Sequence, residues 1–245
     1  MEILNNLGEY CLLLYHAIRS STEVSTYRSN LLAEMVKTGY DSIPIILLTG
    51  IFTGAVLTIQ TAYQLQYSFI PKSTIGAIVT QSMLIELAAA ISSLVLAGRV
   101  GARVATELGT MRVSEQVEAL ESMGFNSVTF LVVPRILSGI LMFPILYIIA
   151  SASGVLGGLV AGAVFGNLPM SVFMHGAHEF FYPWDVAFGI IKMLVFGFII
   201  TSVASFKGYF ATGGAEGVGK STTQATVLGC IYILLADLVL AAILL

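Results

Sequence analysis

Charged side chains are scarce in this sequence, with 11 basic and 14 acidic residues among 245. Ordinary soluble domains carry about 25% charged residues, so this chain has too few to cover a water-facing surface. Hydrophobic residues make up 57% of the chain, and its mean hydropathy is +0.91. The composition excludes a soluble enzyme and a disordered chain, and a net charge of −3 without a basic block disfavours nucleic-acid binding. It predicts an integral membrane protein.

Residues for metal binding or covalent catalysis are also few. The two cysteines, Cys11 and Cys230, lie far apart in apolar stretches, which is typical of packing residues. His175 and His178 lack both the HExxH order of a zinc protease and a nearby third ligand. Their segment, 168–185, is rich in aromatic residues and predicts an amphipathic helix at the outer membrane interface. We therefore predict no catalytic residue, no metal and no cofactor on this chain.

Long apolar stretches predict an all-α polytopic fold with five transmembrane helices. A bilayer core needs roughly 20 apolar residues in a helix. Stretches of sufficient length occupy about 43–65, 75–97, 128–166, 186–206 and 224–245. The third is long enough to cross twice, or to cross once with an extension, whether as one long helix or a broken one. We predict N-terminal cytoplasmic or interfacial helices over residues 1–42 and a transmembrane domain over 43–245.

The basic residues decide between one and two crossings of the third stretch. With a single crossing, the predicted cytoplasmic segments are 1–42, 98–127 and 207–223. These segments contain eight of the 11 basic residues, namely Arg19, Arg28, Lys37, Arg99, Arg103, Arg112, Lys207 and Lys220. The positive-inside rule favours this arrangement. We therefore expect a cytoplasmic N-terminus and a periplasmic C-terminus.

The N-terminal segment has one apolar helical face but no signal-peptide pattern. Ile3, Leu7, Cys11, Leu14 and Ile18 recur at three- and four-residue spacing. Acidic residues replace the basic start that a signal peptide requires, and a small-residue cleavage site is missing. We interpret the segment as an interfacial helix on the inner leaflet.

Two glycine patterns indicate close helix packing. Small residues on one face allow helix backbones to approach closely in a membrane. The glycines concerned are Gly50 and Gly54 in the first span, and Gly154, Gly158, Gly162 and Gly166 in the third. Packing within one chain and a dimer seam both remain open.

A polar, patterned loop over 98–124 follows the second span. Ser114 is a good N-cap residue and Gly124 a good terminating residue, so they predict a helix of about ten residues between them. Its apolar stripe comprises Val113, Val117 and Leu120, with Met123 beside it, and its acidic row comprises Glu115, Glu118 and Glu121. Such a helix favours docking in a groove of a partner protein, with attachment to the membrane surface as the alternative.

The run LAGRVGARVATELGTMRVSEQVEALESMGF, followed by VVPRILSG, resembles the signature of MlaE (YrbE-type) permeases. The similarity extends from about residue 30 to the C-terminus. It implies the membrane subunit of an MCE-linked ABC transporter, which moves phospholipid or related lipid between the cytoplasmic membrane and an MCE-protein partner. It also implies a homodimer, ATP and magnesium on a separate ATPase, and a coupling helix over Ser114–Met123. A small STAS-type regulatory subunit is a further candidate partner.

The segment Gly214–Ser221 satisfies the pattern G-x4-G-K-[ST] of a nucleotide-binding P-loop. A true P-loop follows a buried strand in an α/β domain, whereas this run follows a transmembrane span. We interpret it as a glycine-rich cytoplasmic turn, with Ser221 or Thr222 capping the fifth span. A contact with the ATPase or a regulatory subunit remains open.

Three ionisable residues lie inside predicted spans, where an unpaired charge costs several kcal/mol. They are Glu86, Lys192 and Asp237. If they pair as an acid–base–acid cluster, all three charges are compensated. Such a cluster is either a polar lock near a lipid cavity that rearranges during transport, or a static ion network that holds three helices together. Arg135, at the inner end of the third stretch, is interpreted as snorkelling to headgroups, with binding to loop carbonyls as the alternative. Arg103 and Glu107 are interpreted as an i,i+4 pair.

Two other function classes remain beside the permease. An ion-coupled secondary carrier would use Glu86, Lys192 and Asp237, but such carriers have internal repeats and the two halves of this sequence show none. A non-transporting membrane scaffold would account for the glycine faces and leave the patterned 98–124 segment unexplained. We therefore predict an ABC lipid permease whose lipid cavity lies between protomers, lined mainly by the first, second and fifth spans.

Overall fold

Helices account for nearly all of the described backbone in the computed structural model. The structure describes residues 2–20, 28–66, 70–165 and 168–244, and it contains no β-strand within these ranges. The α-helices are α1 (Glu2–Ser20), α2 (Arg28–Thr38), α3 (Ile43–Gln64), α4 (Ser73–Ser82), α5 (Ala88–Leu96), α6 (Ala102–Val113), α7 (Gln116–Ser122), α8 (Val133–Phe165), α9 (Met170–Glu179), α10 (Pro183–Tyr209) and α11 (Gly214–Leu244).

Five helical stretches of the described chain are long and apolar enough to cross a membrane. They are Arg28–Gln64, Ser73–Val113, Val128–Phe165, Pro183–Tyr209 and Gly214–Leu244. The predicted all-α fold with five spans is therefore confirmed, and α1 is the predicted N-terminal helix. The first stretch contains a 3-10 turn at Tyr40–Ser42, after which Pro44 occupies the first turn of α3, where its missing N–H costs nothing.

The second span continues well beyond its predicted end. Two π-helical segments, Met83–Leu87 and Ala97–Gly101, join α4, α5 and α6 into one helical stretch. The expectation of a polar loop from residue 98 is therefore wrong as far as Val113. The backbone of this polar segment remains helical as α6. Its charged side chains are compensated by ion pairs with neighbouring helices, as described below.

The third stretch is one long helix. It begins with a π-helical segment, Val128–Val132, and continues as α8 through the internal Pro144. A proline inside a helix removes one backbone hydrogen bond but does not prevent a long membrane helix from forming. The prediction of one crossing fits this continuity.

The chain divides into two compact units. Unit 1 comprises residues Met1–Asp41, Leu96–Met142 and Val195–Ala236, and unit 2 comprises Ser42–Val95, Phe143–Leu194 and Asp237–Leu245. In unit 1, Tyr10 of α1 bonds through its hydroxyl to Ser202 Oγ of α10 at 2.8 Å and packs edge-on against Phe206. In unit 2, Gly76 of α4 lies against the backbone of Phe173 in α9, which brings these two helices into close contact.

Candidate functional site: a short helix between spans and an intramembrane triad

The short helix α7 carries four of the eight predicted coupling residues, and the other four lie just before or after it. It begins later than the sequence indicates, because Ser114 ends α6 and its Oγ donates to the Thr110 carbonyl within that helix. The interpretation of Ser114 as an N-cap is therefore wrong. Glu115 precedes α7 in a left-handed conformation with φ 59°, which produces the sharp turn between the two helices.

The end of α7 agrees with its sequence. Gly124 has φ 83°, the left-handed conformation that glycine adopts without a Cβ penalty. Its N–H donates to the Glu121 carbonyl at 2.9 Å, and the Phe125 N–H donates to the Leu120 carbonyl at 3.1 Å. These two bonds form a Schellman motif, which terminates the helix and turns the chain toward the third span.

The apolar residues of α7 do not share one free face. Val117 is fully buried, so it attaches the helix to unit 1 and is not available for docking. Leu120 is half-buried, whereas Val113 and Met123 are exposed. Phe125 is also exposed, a residue that the helical pattern missed because it lies beyond the terminating glycine. The predicted docking stripe is therefore wrong. The apolar side chains exposed before and after α7 are Val113, Met123 and Phe125, here called the exposed apolar surface.

The three ionisable residues of the spans meet in unit 2 and are called the intramembrane triad. Lys192 Nζ lies 2.6 Å from Glu86 Oε2 and 2.6 Å from Asp237 Oδ1. The Lys192 side chain is 0% exposed, while those of Asp237 and Glu86 are 13% and 43% exposed. The ammonium group also lies 4.8 Å from the Phe188 ring centroid. The predicted acid–base–acid cluster is thus present, with the cation enclosed and Glu86 as its most exposed member.

Glu86 lies in an irregular part of its span. It lies in the π-helical segment Met83–Leu87, and such segments frequently occur at functional sites. The Leu84 carbonyl in this segment accepts a 2.7 Å bond from the Tyr147 hydroxyl, and the Ile85 carbonyl accepts one from Lys192 Nζ at 3.4 Å. Side chains from α8 and α10 therefore hold the irregular turn that carries Glu86.

A shallow groove of about 150 Å³ opens beside the same segment. Its lining combines the hydroxyls of Thr49, Thr53 and Ser92 with the apolar side chains of Met83 and Leu87. The Thr49 hydroxyl donates to the Ile45 and Ile46 carbonyls of its own helix, so the groove is a shallow depression of mixed polar and apolar character.

The sequence of this chain matches the family model described as permease MlaE over residues 31–243. The chain belongs to the MlaE permease family. The match includes α7, all three triad residues and all five membrane-crossing stretches almost completely.

Individual relatives agree with this assignment. A probable ABC transporter permease protein of Rickettsia bellii is 35% identical over 97% of this chain and 91% of its own length. A probable ABC transporter permease protein of Synechocystis is 39% identical over 87% of this chain and 81% of its own length. The MlaE permease of the intermembrane phospholipid transport system of Haemophilus influenzae is 29% identical over 99% and 93% of the two chains.

The chain is therefore an MlaE-family permease subunit of an ABC lipid transporter, a transport component without catalytic activity of its own. Its five apolar helices and its family indicate a multi-pass protein of the inner membrane. An ABC system also implies an ATPase partner.

A buried ion network in unit 1 of the permease was only partly visible in the sequence. The predicted Arg103–Glu107 pair is present at 3.2 Å, but Arg103 also contacts Glu34 of α2 at 3.1 Å. Arg135 is buried and donates to the Leu131 carbonyl, and its Nη2 lies 3.3 Å from Glu107 and 3.7 Å from Glu34. Snorkelling of Arg135 is therefore wrong. Glu34 was missed because its partners are about 70 and 100 residues away in sequence, where no spacing rule applies.

The glycine patterns bring α3 and α8 together in unit 2. A Cβ on Gly54 would overlap the backbone of Gly154, and one on Gly50 would overlap Ser153 and the Ala150 carbonyl. Gly158 lies against Thr58, and Gly162 lies against Thr58 and Leu168. These glycines therefore pack within one chain. Gly166 lies outside the described residues.

The run Gly214–Ser221 is helical and forms the first two turns of α11. A P-loop wraps phosphate with a loop before its helix begins, so this backbone lacks that shape. Ser221 and Thr222 are inside the helix, and their predicted capping role is wrong. The physical reason is that α11 begins at Gly214, immediately after the left-handed Gly213. Thr222 instead bonds to Thr106 of α6 at 2.9 Å.

The segment that precedes the fourth span forms the predicted helix. Helix α9 begins after Pro169 and ends at Glu179, and His175 Nε2 lies 3.8 Å from Glu179 on its exposed side. The aromatic residues that follow, Phe180 to Trp184, are mostly exposed. Within the described ranges, His, Cys, Asp and Glu do not assemble into a group that could hold a metal ion.

Proposed function

We propose that this permease couples ATP hydrolysis on a separate ATPase subunit to lipid movement by means of α7. The exposed apolar surface of Val113, Met123 and Phe125 is the observation that carries the proposal. Charged groups surround this surface, since Glu115 and Glu118 are exposed near it. An apolar patch with a polar rim is a typical docking surface for a partner protein. ATP and magnesium would bind to that partner.

Val117 supports the same proposal from inside the chain. Because it is fully buried, α7 is attached to unit 1 by an apolar contact while its opposite side remains free. A force applied to the free side would thus act on a helix that is already packed against the spans.

Met123→Asp tests the docking role. The substitution places a charge at the centre of the proposed interface, where an unpaired charge is strongly unfavourable. We expect at least a tenfold loss of ATPase recovered with the permease from its native host in mild detergent, together with loss of ATP-dependent lipid movement. Met170→Asp is the matched control, since Met170 is exposed on α9 and away from α7 in sequence. Normal ATPase recovery with Met123→Asp would refute the docking role.

We further propose that the permease works as a homodimer and exchanges phospholipid or related lipid with an MCE-domain protein. Exposed apolar side chains such as Leu234, Leu238 and Ile243 of α11 leave a surface for lipid and for a second copy. The intramembrane triad and the groove beside Met83 would lie near the lipid cavity. A STAS-type subunit is a further proposed partner. Native mass spectrometry of the purified complex tests all of these stoichiometries together.

For orientation, we propose a cytoplasmic N-terminus and a periplasmic C-terminus. The concentration of basic residues in α2, in α6 and around the start of α11 supports this arrangement through the positive-inside rule. Cys11 is exposed and provides a native probe in a Cys230→Ala background. A membrane-impermeant maleimide should label Cys11 only after the membrane is opened, and labelling of intact spheroplasts from outside would reverse the orientation.

The rival function is an ion-coupled secondary carrier, and the closed intramembrane triad is the observation that favours it. The two proposals differ in their energy source. Reconstituted wild-type permease without an ATPase should not move lipid in a proton gradient. Full activity of the permease alone in that gradient would establish the carrier instead.

A further inference from the structure

Both glutamates of α7, Glu118 and Glu121, are exposed, and each also contacts side chains at the ends of neighbouring helices. Glu118 Oε1 lies 2.9 Å from Arg112 Nη1 at the end of α6. Glu121 Oε1 accepts a bond from Ser127 Oγ at 2.6 Å and lies 3.2 Å from the Tyr209 hydroxyl at the end of α10. The acidic row therefore attaches α7 to two membrane-crossing helices.

The two hydroxyls form a short relay to Glu121. Ser127 Oγ and the Tyr209 hydroxyl are buried and lie 2.8 Å apart. Each hydroxyl has a single proton, so the two shortest contacts coexist when Tyr209 donates to Ser127 and Ser127 donates to Glu121. A bond to a carboxylate is stronger than one between neutral groups, which makes the Ser127–Glu121 contact the principal one.

The surroundings of Tyr209 strengthen this attachment. The Arg112 guanidinium that pairs with Glu118 also lies 5.7 Å from the Tyr209 ring centroid. Arg112 and Tyr209 thus connect the ends of α6 and α10 with each other and with the same helix α7. This is more than the buried Val117 alone provides, because hydrogen bonds fix direction whereas apolar contacts do not.

We propose that Ser127 and Tyr209 are positioning residues that transmit movement of α7 to α10. The proposal rests on the proposed docking of an ATPase on α7. The Glu121–Ser127–Tyr209 relay, as we call these three bonded residues, holds α7 as a rigid attachment on the end of a membrane-crossing helix. A push on the exposed surface of α7 then displaces α10 rather than bending the turn at Gly124.

Ser127→Ala and Tyr209→Phe test the relay in the full complex purified with its ATPase. We expect ATPase recovery and ATP hydrolysis close to wild type, because neither residue lies on the exposed apolar surface. The lipid moved per ATP hydrolysed should fall about tenfold in Ser127→Ala, which breaks the bond to Glu121, and less in Tyr209→Phe. The double variant should be no worse than Ser127→Ala alone, since both act through one chain of bonds.

Hydrogen exchange of the α7 amides in the same complexes supplies a second measurement. Loss of the relay should reduce protection across Gln116–Ser122 about tenfold in Ser127→Ala, equivalent to about 1.4 kcal/mol of local opening. Ser122→Ala is the matched control on the same helix, because its hydroxyl bonds only to the Ala119 carbonyl. Tyr182→Phe is the control for Tyr209, since Tyr182 is exposed.

The outcomes separate the relay from the docking proposal. An unchanged ratio of lipid moved to ATP hydrolysed in Ser127→Ala would overturn the relay. So would a proportional fall of hydrolysis and transport, since that indicates a general loss of folded protein. Failure of the wild-type permease to bind any ATPase would instead refute the proposed docking function.

Discussion

Replacing Lys192 with methionine is the most direct test of the intramembrane triad. Methionine retains an unbranched apolar stem of similar length but removes the ammonium group that lies 2.6 Å from each carboxylate. Removing one partner of a buried ion pair leaves an uncompensated charge and typically costs about 3–5 kcal/mol. We predict that Lys192→Met lowers the free energy of unfolding by this amount.

The loss of stability should come mainly from the less exposed of the two carboxylates. Glu86 is 43% exposed, so water can reach it in the detergent micelle where stability is measured, and its loss of a partner costs less than that of an enclosed carboxylate. Asp237 is largely enclosed and cannot do so. The double variant Lys192→Met, Asp237→Asn should therefore recover most of the stability, to within about 1–2 kcal/mol of wild type, because no enclosed charge remains.

Denaturant titration in detergent micelles, followed by circular dichroism, measures the change. In a thermal melt the single variant should unfold roughly 6–20 °C below wild type, from about 2–4 °C per kcal/mol for a chain of this size. Lys72→Met is the control, since Lys72 is exposed and its loss should change stability by less than about 0.5 kcal/mol. Two results would refute the reasoning. One is a Lys192 variant as stable as the Lys72 control, and the other is a double variant as unstable as Lys192→Met.

Lipid transport by the stable double variant then decides what the triad does. A static network predicts normal ATP-dependent lipid movement once stability is restored. A polar lock that rearranges during transport predicts a stable but inactive permease. The two alternatives left open by the sequence thus give opposite results in one assay.

Three further predictions concern packing, the ion network and the membrane interface. Gly54→Ala should lower the free energy of unfolding by about 1–3 kcal/mol, because the added methyl group would overlap the α8 backbone. Gly219→Ala is the control: its methyl group would enter open space, so denaturant unfolding should show a neutral or slightly stabilising effect. Arg135→Met should lower the free energy of unfolding by about 1–3 kcal/mol in the same denaturant titration, since it leaves buried acceptors without their donor. If this variant were as stable as Arg28→Met, which changes an exposed residue, the buried ion network would be contradicted. Trp184, the sole tryptophan, is exposed at the start of α10. Lipids brominated near the headgroup should therefore quench its fluorescence more than lipids brominated deep in the acyl chain. The opposite order would place Trp184 in the bilayer interior.

The helices that cross the membrane could be predicted because their formation depends on local composition. An apolar run of sufficient length must satisfy its backbone internally in lipid, and a helix does this without any other part of the chain. The five spans follow from that rule, as does the end of α7 at Gly124, where a left-handed residue is required. The family signature over 98–124 is likewise a property of sequence alone.

Helix ends were harder to predict where polar residues continue a helix. Residues 98–113 read as a loop because their charges would be costly in a membrane. They are helical because Arg103 and Glu107 find partners on α2 and α8, and no local pattern contains that information. Helix α11 likewise begins within a glycine-rich run that has the composition of a turn, and Val218 in that run is buried.

The sequence by itself determined that this is a five-span MlaE-family permease with a short helix after the second span and three charges inside the membrane. Only the tertiary structure decided that Lys192 lies between both carboxylates, that Glu34 and Arg135 belong to one buried network, that Val117 is buried, and that Glu121 bonds to Ser127. The physical reason is that helix formation depends on neighbouring residues in the chain, whereas ion pairing and burial depend on which helix faces meet. That meeting is set by contacts between residues tens to more than a hundred positions apart.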